Sequence, residues 1–164
     1  MNEMLEVYDL QGLNNPEAAL ANVDDSGSDR AGLAQVLLCL KESNHHQFEL
    51  SAERVTLSLM GGVSAASMES YQLAYPYLIR LQQLREVQQA VQMLEAPSHK
   101  ERMNLLKSWE WDNRMEMVVP SLKYREVLTS TRRLVFQLSK MPDLVWESWL
   151  STAKSCRKAG RLEV

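Results

Sequence analysis

The amino-acid sequence predicts an all-α protein on three observations. Apolar residues recur at i, i+3, i+4 and i+7 along most of the chain, which places them on one face of a helix. Helix caps, prolines and glycines punctuate that pattern. Strand signals are nearly absent: no Asn-Gly or Asp-Gly turn joins alternating runs, and the β-branched residues are dispersed.

Element by element, Asn15 before Pro16 and Glu17 has the form of an N-cap, a first-turn proline and a first-turn acid, opening a short helix that fades near Asn22. Asp24-Asp25-Ser26-Gly27-Ser28 reads as a polar loop. From Asp29 to about Lys41, Leu33, Val36, Leu37 and Leu40 form a single apolar face. Asn44 with Gln47 three residues on predicts a capped start, and Phe48, Ala52, Val55 and Leu59 continue at helical spacing until Gly61-Gly62, where a break is expected. Val63 to Tyr75 is helical again. Pro76 then interrupts a pattern resumed by Leu78, Leu81, Leu84, Val87, Val91 and Leu94, so a kink or short break is expected near Tyr75. Ser98 with Glu101 forms a capping box for a helix carrying Met103, Leu106 and Trp109 and fading near Val118-Val119-Pro120. Tyr124, Val127, Leu128, Thr131, Leu134, Val135 and Leu138 mark a long amphipathic helix. Pro142 opens the last one, with Trp146, Trp149, Ala153 and Cys156 on one side and Gly160 at the C′ position.

Such segments could close into a bundle or stack as helical hairpins, and two features favour the stack, an α-α superhelix (solenoid). Trp149, Ala153 and Gly160 have the spacing of the first helix of a tetratricopeptide repeat: an aromatic, a small residue one turn on where a partner helix crosses, and a turn glycine. Thr152 departs from that pattern, which prefers leucine. The run from Lys158 to Val164 reads as the turn into a further helix, so the chain reads as cut from something longer.

The chain of 164 residues, with 18 Lys and Arg against 21 Asp and Glu and 45% hydrophobic residues, can bury a sizeable core. Its net charge of −3 excludes a chain-wide phosphate-binding surface. No apolar run approaches the roughly 20 residues of a membrane span, and the acidic N-terminus lacks the form of a signal peptide, so a cytosolic or nuclear setting is expected. Cys39 and Cys156 are too isolated for a disulfide framework or zinc site. Charge is uneven: residues 1–30 hold seven acids and one base, residues 121–164 nine bases and four acids. The basic end, with Arg132, Arg133, Lys154, Arg157, Lys158 and Arg161, reads as solvated helix faces, with docking of an acidic neighbour as the sharper alternative. The lack of interleaved aromatics at stacking positions speaks against nucleic acid.

Gly62-Val63-Ser64-Ala65-Ala66-Ser67, then Ser70-Tyr71-Gln72, Tyr75, Tyr77 and Ile79-Arg80-Leu81, resemble the FAT region of the ATR-type checkpoint kinases, members of the phosphatidylinositol 3-kinase-related protein kinases. Trp111, Arg114-Met115-Glu116-Met117, Arg125-Glu126-Val127-Leu128, Arg132-Arg133, Leu138, Pro142-Asp143, Trp149-Leu150 and Arg157-Lys158-Ala159-Gly160 follow in that family's order. The resemblance covers residues 60–160 well, 30–58 only through Leu33, Gln35, Leu37-Leu38 and Phe48, and 1–28 hardly at all. Residues 1–28 are thus read as a separate, poorly matched N-terminal segment, and residues 29–164 as the FAT-like helical repeat segment. Pro76 departs from the family pattern. The resemblance implies a tetratricopeptide-like superhelix that wraps a kinase domain, contacts neighbouring repeats, and takes part in homodimerisation or holds a regulatory subunit. It implies a nuclear serine/threonine kinase as parent, using ATP and magnesium in DNA-damage and replication checkpoints.

The segment itself shows no catalytic, cofactor or metal motif: a phosphoryl-transfer site needs a phosphate-cradling loop, a lysine and metal-binding acids, and no such constellation stands here. His45 and His46, being adjacent, point to different sides of a helix. A Cys–His pair from Cys39 or Cys156 with His99 has no local support. The methionines, including Met103, Met115 and Met117, read as core filling. The residues singled out are structural packing positions: Tyr71, Tyr75, Trp109, Trp146, Trp149, Ala153 and Gly160. The alternative functions are a free-standing tetratricopeptide-like adaptor for an acidic peptide and, more weakly, a small helical enzyme.

Overall fold

The computed structural model describes residues 25–158 and 160. Seven helices make up this part: α1 (Asp25–Lys41), α2 (His45–Ser67), α3 (Tyr71–Glu95), α4 (His99–Trp109), α5 (Trp111–Met117), α6 (Leu122–Leu138) and α7 (Pro142–Lys158), with no strand among the described residues. The fold is all-α, as the periodicity predicts. The helix expected after Asn15 and the residues Arg161 to Val164 lie outside the described residues. The chain divides into two compact units, one ending at Leu84 and the other beginning at Arg85.

In the first unit α1 packs against α2, with Leu33, Val36, Leu37 and Leu40 buried on α1 and Phe48, Ala52, Val55 and Leu59 on α2. Gly32 marks the close approach: a Cβ there would stand 2.6 Å from the Val55 Cγ2. The helix starts at Asp25, so Asp25 to Ser28 is a first helical turn and not the expected loop. Acids are favoured there by the partial positive charge of a helix N-terminus. The Asn44 cap stands as predicted, its side chain accepting the Gln47 N–H at 3.2 Å.

The break expected at Gly61-Gly62 is absent, because α2 runs through both. Gly62 has a packing reason: a Cβ would lie 2.5 Å from the Tyr77 ring, so only glycine lets that ring approach. Nor does Pro76 divide α3, which is helical on both sides of it. A proline within a helix removes one hydrogen bond and crowds the carbonyl four residues back, yet its φ is helical. Burial of Ala74 and Ile79 on either side keeps the element continuous.

In the second unit the expected single helix from Ser98 to Val118 is two. The Ser98 hydroxyl accepts the Glu101 N–H at 3.2 Å as the capping box requires, but Glu110 adopts a left-handed φ of 53° and ends α4. That turn carries both Trp109 and Trp111 into buried positions, stacked at 5.6 Å. Here α6 packs against α7. Gly160 takes a φ of 71° beyond the end of α7, as its C′ position predicts.

Candidate interaction surface

The core of the second unit is polar at its centre. Glu86 and Gln89, one turn apart on α3, fall among apolar neighbours Val87, Ala90 and Met93, and all five are buried. A carboxylate so placed needs a partner. Arg132 of α6 supplies it: its Nε and Nη2 donate to the two Glu86 carboxylate oxygens, each at 2.7 Å, a bidentate charge-assisted pair. Arg132 Nη2 also donates to the Trp111 carbonyl at 2.7 Å, and its guanidinium lies 5.2 Å from the centre of the Trp111 ring. The Trp111 indole N–H donates to Gln89 Oε1 at 2.9 Å. Arg132 is therefore not part of a solvated basic face, contrary to the expectation from charge distribution. With every strong group committed to a partner, this cluster is a rivet and not a reaction centre.

Two further arginines close chain turns. Arg102 donates to the Ala96 carbonyl through Nε at 3.1 Å and Nη2 at 3.0 Å, and to the Ser139 carbonyl through Nη1 at 2.8 Å. Arg125 donates to the Val118 carbonyl at 3.3 and 2.9 Å. These bonds satisfy carbonyls that helix ends leave without partners.

Of the packing positions singled out, Trp109 is buried and Tyr75 half-buried, whereas Tyr71, Trp146, Trp149 and Ala153 are exposed. The Tyr71 ring meets that of Tyr75 with centres 5.8 Å apart and planes tilted by 49°, and 69% of the Tyr71 surface is open. On α7, Trp146 is 73% and Trp149 50% exposed, and Leu150 is exposed beside them. The physical reason is that α7 turns its other side to α6: Leu144, Val145, Ser148 and Thr152 are half-buried, and no α7 residue is fully buried. Periodicity identifies an apolar side without saying that anything covers it. Trp149 touches α6 through Arg133, whose guanidinium lies 4.0 Å from the ring centre and whose Nη1 donates to the Thr152 hydroxyl at 2.6 Å. Burial lowers the Arg133 pKa, against the opposing influence of Glu126 and Cys156.

A depression of about 550 Å³ in the second unit is open and lined by Gln92, Glu95, Glu101, Asn104, Leu105 and Ser108. His45, His46 and His99 are exposed, and Cys39 is buried beside Gln35. Among the described residues, no group of three or more His, Cys, Asp or Glu could hold a metal, and no helix is long and apolar enough to cross a membrane. Sequence reasoning missed the Glu86–Arg132–Trp111–Gln89 network. Its signal was the polar pair Glu86 and Gln89 on the apolar side of α3.

The profile of the FAT domain family matches residues 6–164. The chain is 31% identical over 147 residues to serine/threonine-protein kinase ATR of Oryza sativa subsp. indica, covering 85% of this chain and 5% of that protein. It is 31% identical over 173 residues to serine/threonine-protein kinase ATR of Arabidopsis thaliana, covering 99% of this chain and 6% of that one. Serine/threonine-protein kinase TOR of Arabidopsis thaliana is 27% identical over 157 residues, covering 93% and 6%. The chain therefore spans about a twentieth of the length of the relatives it matches. No solved structure matches it.

Proposed function

The chain belongs to the FAT domain family, and from that premise we propose that it is a non-catalytic scaffold and regulatory segment of a nuclear, ATR-type serine/threonine protein kinase acting in DNA-damage and replication checkpoints. The observation that carries the reading is the similarity to ATR proteins along 85% and 99% of this chain, at 31% identity against 27% for TOR, within one narrow window of very long relatives. The fold supports it: helical hairpins with riveted interiors and an exposed apolar helix face suit a part that holds other parts. Its partners are then the kinase domain and neighbouring repeats of the same polypeptide, with a second copy or a regulatory subunit beyond them. ATP and magnesium belong to the parent's kinase domain, and this segment needs no cofactor.

In cells expressing the parent protein with residues 25–158 deleted, replication stress should fail to raise phosphorylation of checkpoint substrates, although the kinase domain is intact in sequence. Unchanged signalling would overturn the reading. The isolated segment should show no thermal stabilisation by ATP with magnesium, since a ligand that binds only the native state must raise apparent stability. A second reading, a free-standing adaptor, is favoured by the exposed Trp146, Trp149 and Leu150 alone. A transcript that ends without encoding a kinase domain would select it.

A further inference from the structure

The end of α3 lacks the charge that a helix C-terminus ordinarily attracts. Its last turn holds no base and closes on Glu95, although the carbonyls there carry partial negative charge. On α4, Glu101, Asn104, Leu105 and Ser108 stand at i, i+3, i+4 and i+7 and so share one face of that helix. That face and the last turn of α3 are the walls of the depression of about 550 Å³. Its lining holds two carboxylates and no Lys, Arg or His. Lys100 and Arg102 flank Glu101 in sequence but stand outside the lining, and Arg102 is committed to the Ala96 and Ser139 carbonyls. No ion pair joins Glu101 to another of the described residues. Ser108 spends its hydroxyl proton on the Leu105 carbonyl at 2.7 Å, which leaves its oxygen to accept. The walls are thus rich in acceptors, and what they lack is a cation with N–H groups to donate.

We propose that this depression receives an extended basic segment of a partner protein, with one Arg or Lys side chain reaching Glu95 and Glu101. The aliphatic stem of such a residue suits the apolar part of the lining, buried Ala96 and half-buried Leu105. The backbone form follows from the amides. Gln92 and Asn104 are exposed, one on each wall, and each side-chain amide both donates and accepts. A helix bonds its N–H and C=O groups internally, whereas an extended chain offers both sideways, so paired amides favour an extended partner. An acidic segment would meet two like charges here, and the same walls that recruit a cation reject it. The inference rests on the scaffold reading only in treating this unit as a holder of other polypeptide. Its readout is peptide binding by the chain itself, so loss of the kinase role would leave it unchanged, and its own failure would leave the kinase role standing.

The test is a titration of the isotopically labelled full chain, followed by amide NMR shifts. The probe is a peptide of about nine residues, serines and threonines around one central arginine, blocked at both ends and taken to about 5 mM, since one cation and a few amide bonds give a weak complex. Saturating shifts should centre on residues 92–108. The same peptide with glutamate at its centre should produce none. Glu101→Lys should weaken binding at least about tenfold, because it sets a like charge against the arginine. Glu53→Lys, which makes the same change in net charge at an exposed site on α2, should leave binding unaltered. Asn104→Ala should weaken it about threefold or more by removing one amide partner. That variant alters no charge and favours helix, so it decides the matter even where Glu101→Lys perturbs α4. Absence of a saturable shift, shifts centred elsewhere, equal binding of the glutamate peptide, an equal loss with Glu53→Lys, or indifference to Asn104→Ala would overturn the proposal.

Discussion

Among single residues, Arg132 holds the most. It bonds Glu86 through two nitrogens and the Trp111 carbonyl besides, with both charged side chains buried. Removing one member of a buried pair leaves the other charged and desolvated, so Arg132→Ala or Glu86→Gln should each cost about 3–5 kcal/mol. Replacing both by apolar residues, as in Glu86→Leu with Arg132→Met, should cost much less than the two single changes added together. Urea midpoints of the three variants check this. Tryptophans should divide by burial: Trp111→Ala is expected to cost about 3–5 kcal/mol and Trp149→Ala under about 1 kcal/mol, by the same measurement. These outcomes could not be read from the sequence. Arg132 and Arg133 stand next to each other as two bases of a basic end, and only the fold sends one to a buried carboxylate 46 residues away and the other over an indole.

Elements were legible where their signals are local. The Asn44 and Ser98 caps act through bonds to residues three positions on, and both formed as expected. Elements misread were those where a distant contact outweighs a local rule. Gly61-Gly62 signals a break, yet the two glycines differ. Gly61 faces open space, so Gly61→Ala should raise stability by about 0.5–1 kcal/mol through helix propensity. Gly62→Ala should forfeit that gain because the Tyr77 ring must move aside. Thermal midpoints opposite in sign, or at least well separated, are the expected result. Pro76→Ala should stabilise α3, by up to about 3 kcal/mol, since it restores a backbone donor within a helix that is already continuous. The division of α4 from α5 had no local signal at all. Glu110 is an ordinary helix former, and its left-handed φ is accounted for by two buried tryptophans that a continuous helix would set 200° apart.

For the whole molecule, the expected far-UV circular dichroism is that of helix without strand, and a strand-dominated spectrum would contradict the fold. The class was legible because periodicity is a property of every segment. The two-unit organisation was not, because the division at Leu84 and Arg85 falls inside a regular helix. The four tryptophans, Trp109, Trp111, Trp146 and Trp149, all lie beyond that division. Their ultraviolet emission is therefore a private channel of the second unit, while ellipticity sums both. Trp109 and Trp111, buried and 24° from coplanar, should emit to the blue of water-bathed Trp146 and couple as a pair of neighbouring chromophores in the near ultraviolet. Iodide, which reaches only solvent-facing indoles, should dim the red part of the native spectrum and spare the blue. With Glu86→Gln, emission should lose its blue component earlier in urea than ellipticity loses its first-unit share, and curves shifting together would show that the chain melts as one. A lone pattern of indole placement thus gives this protein a built-in optical ruler for its own cooperativity.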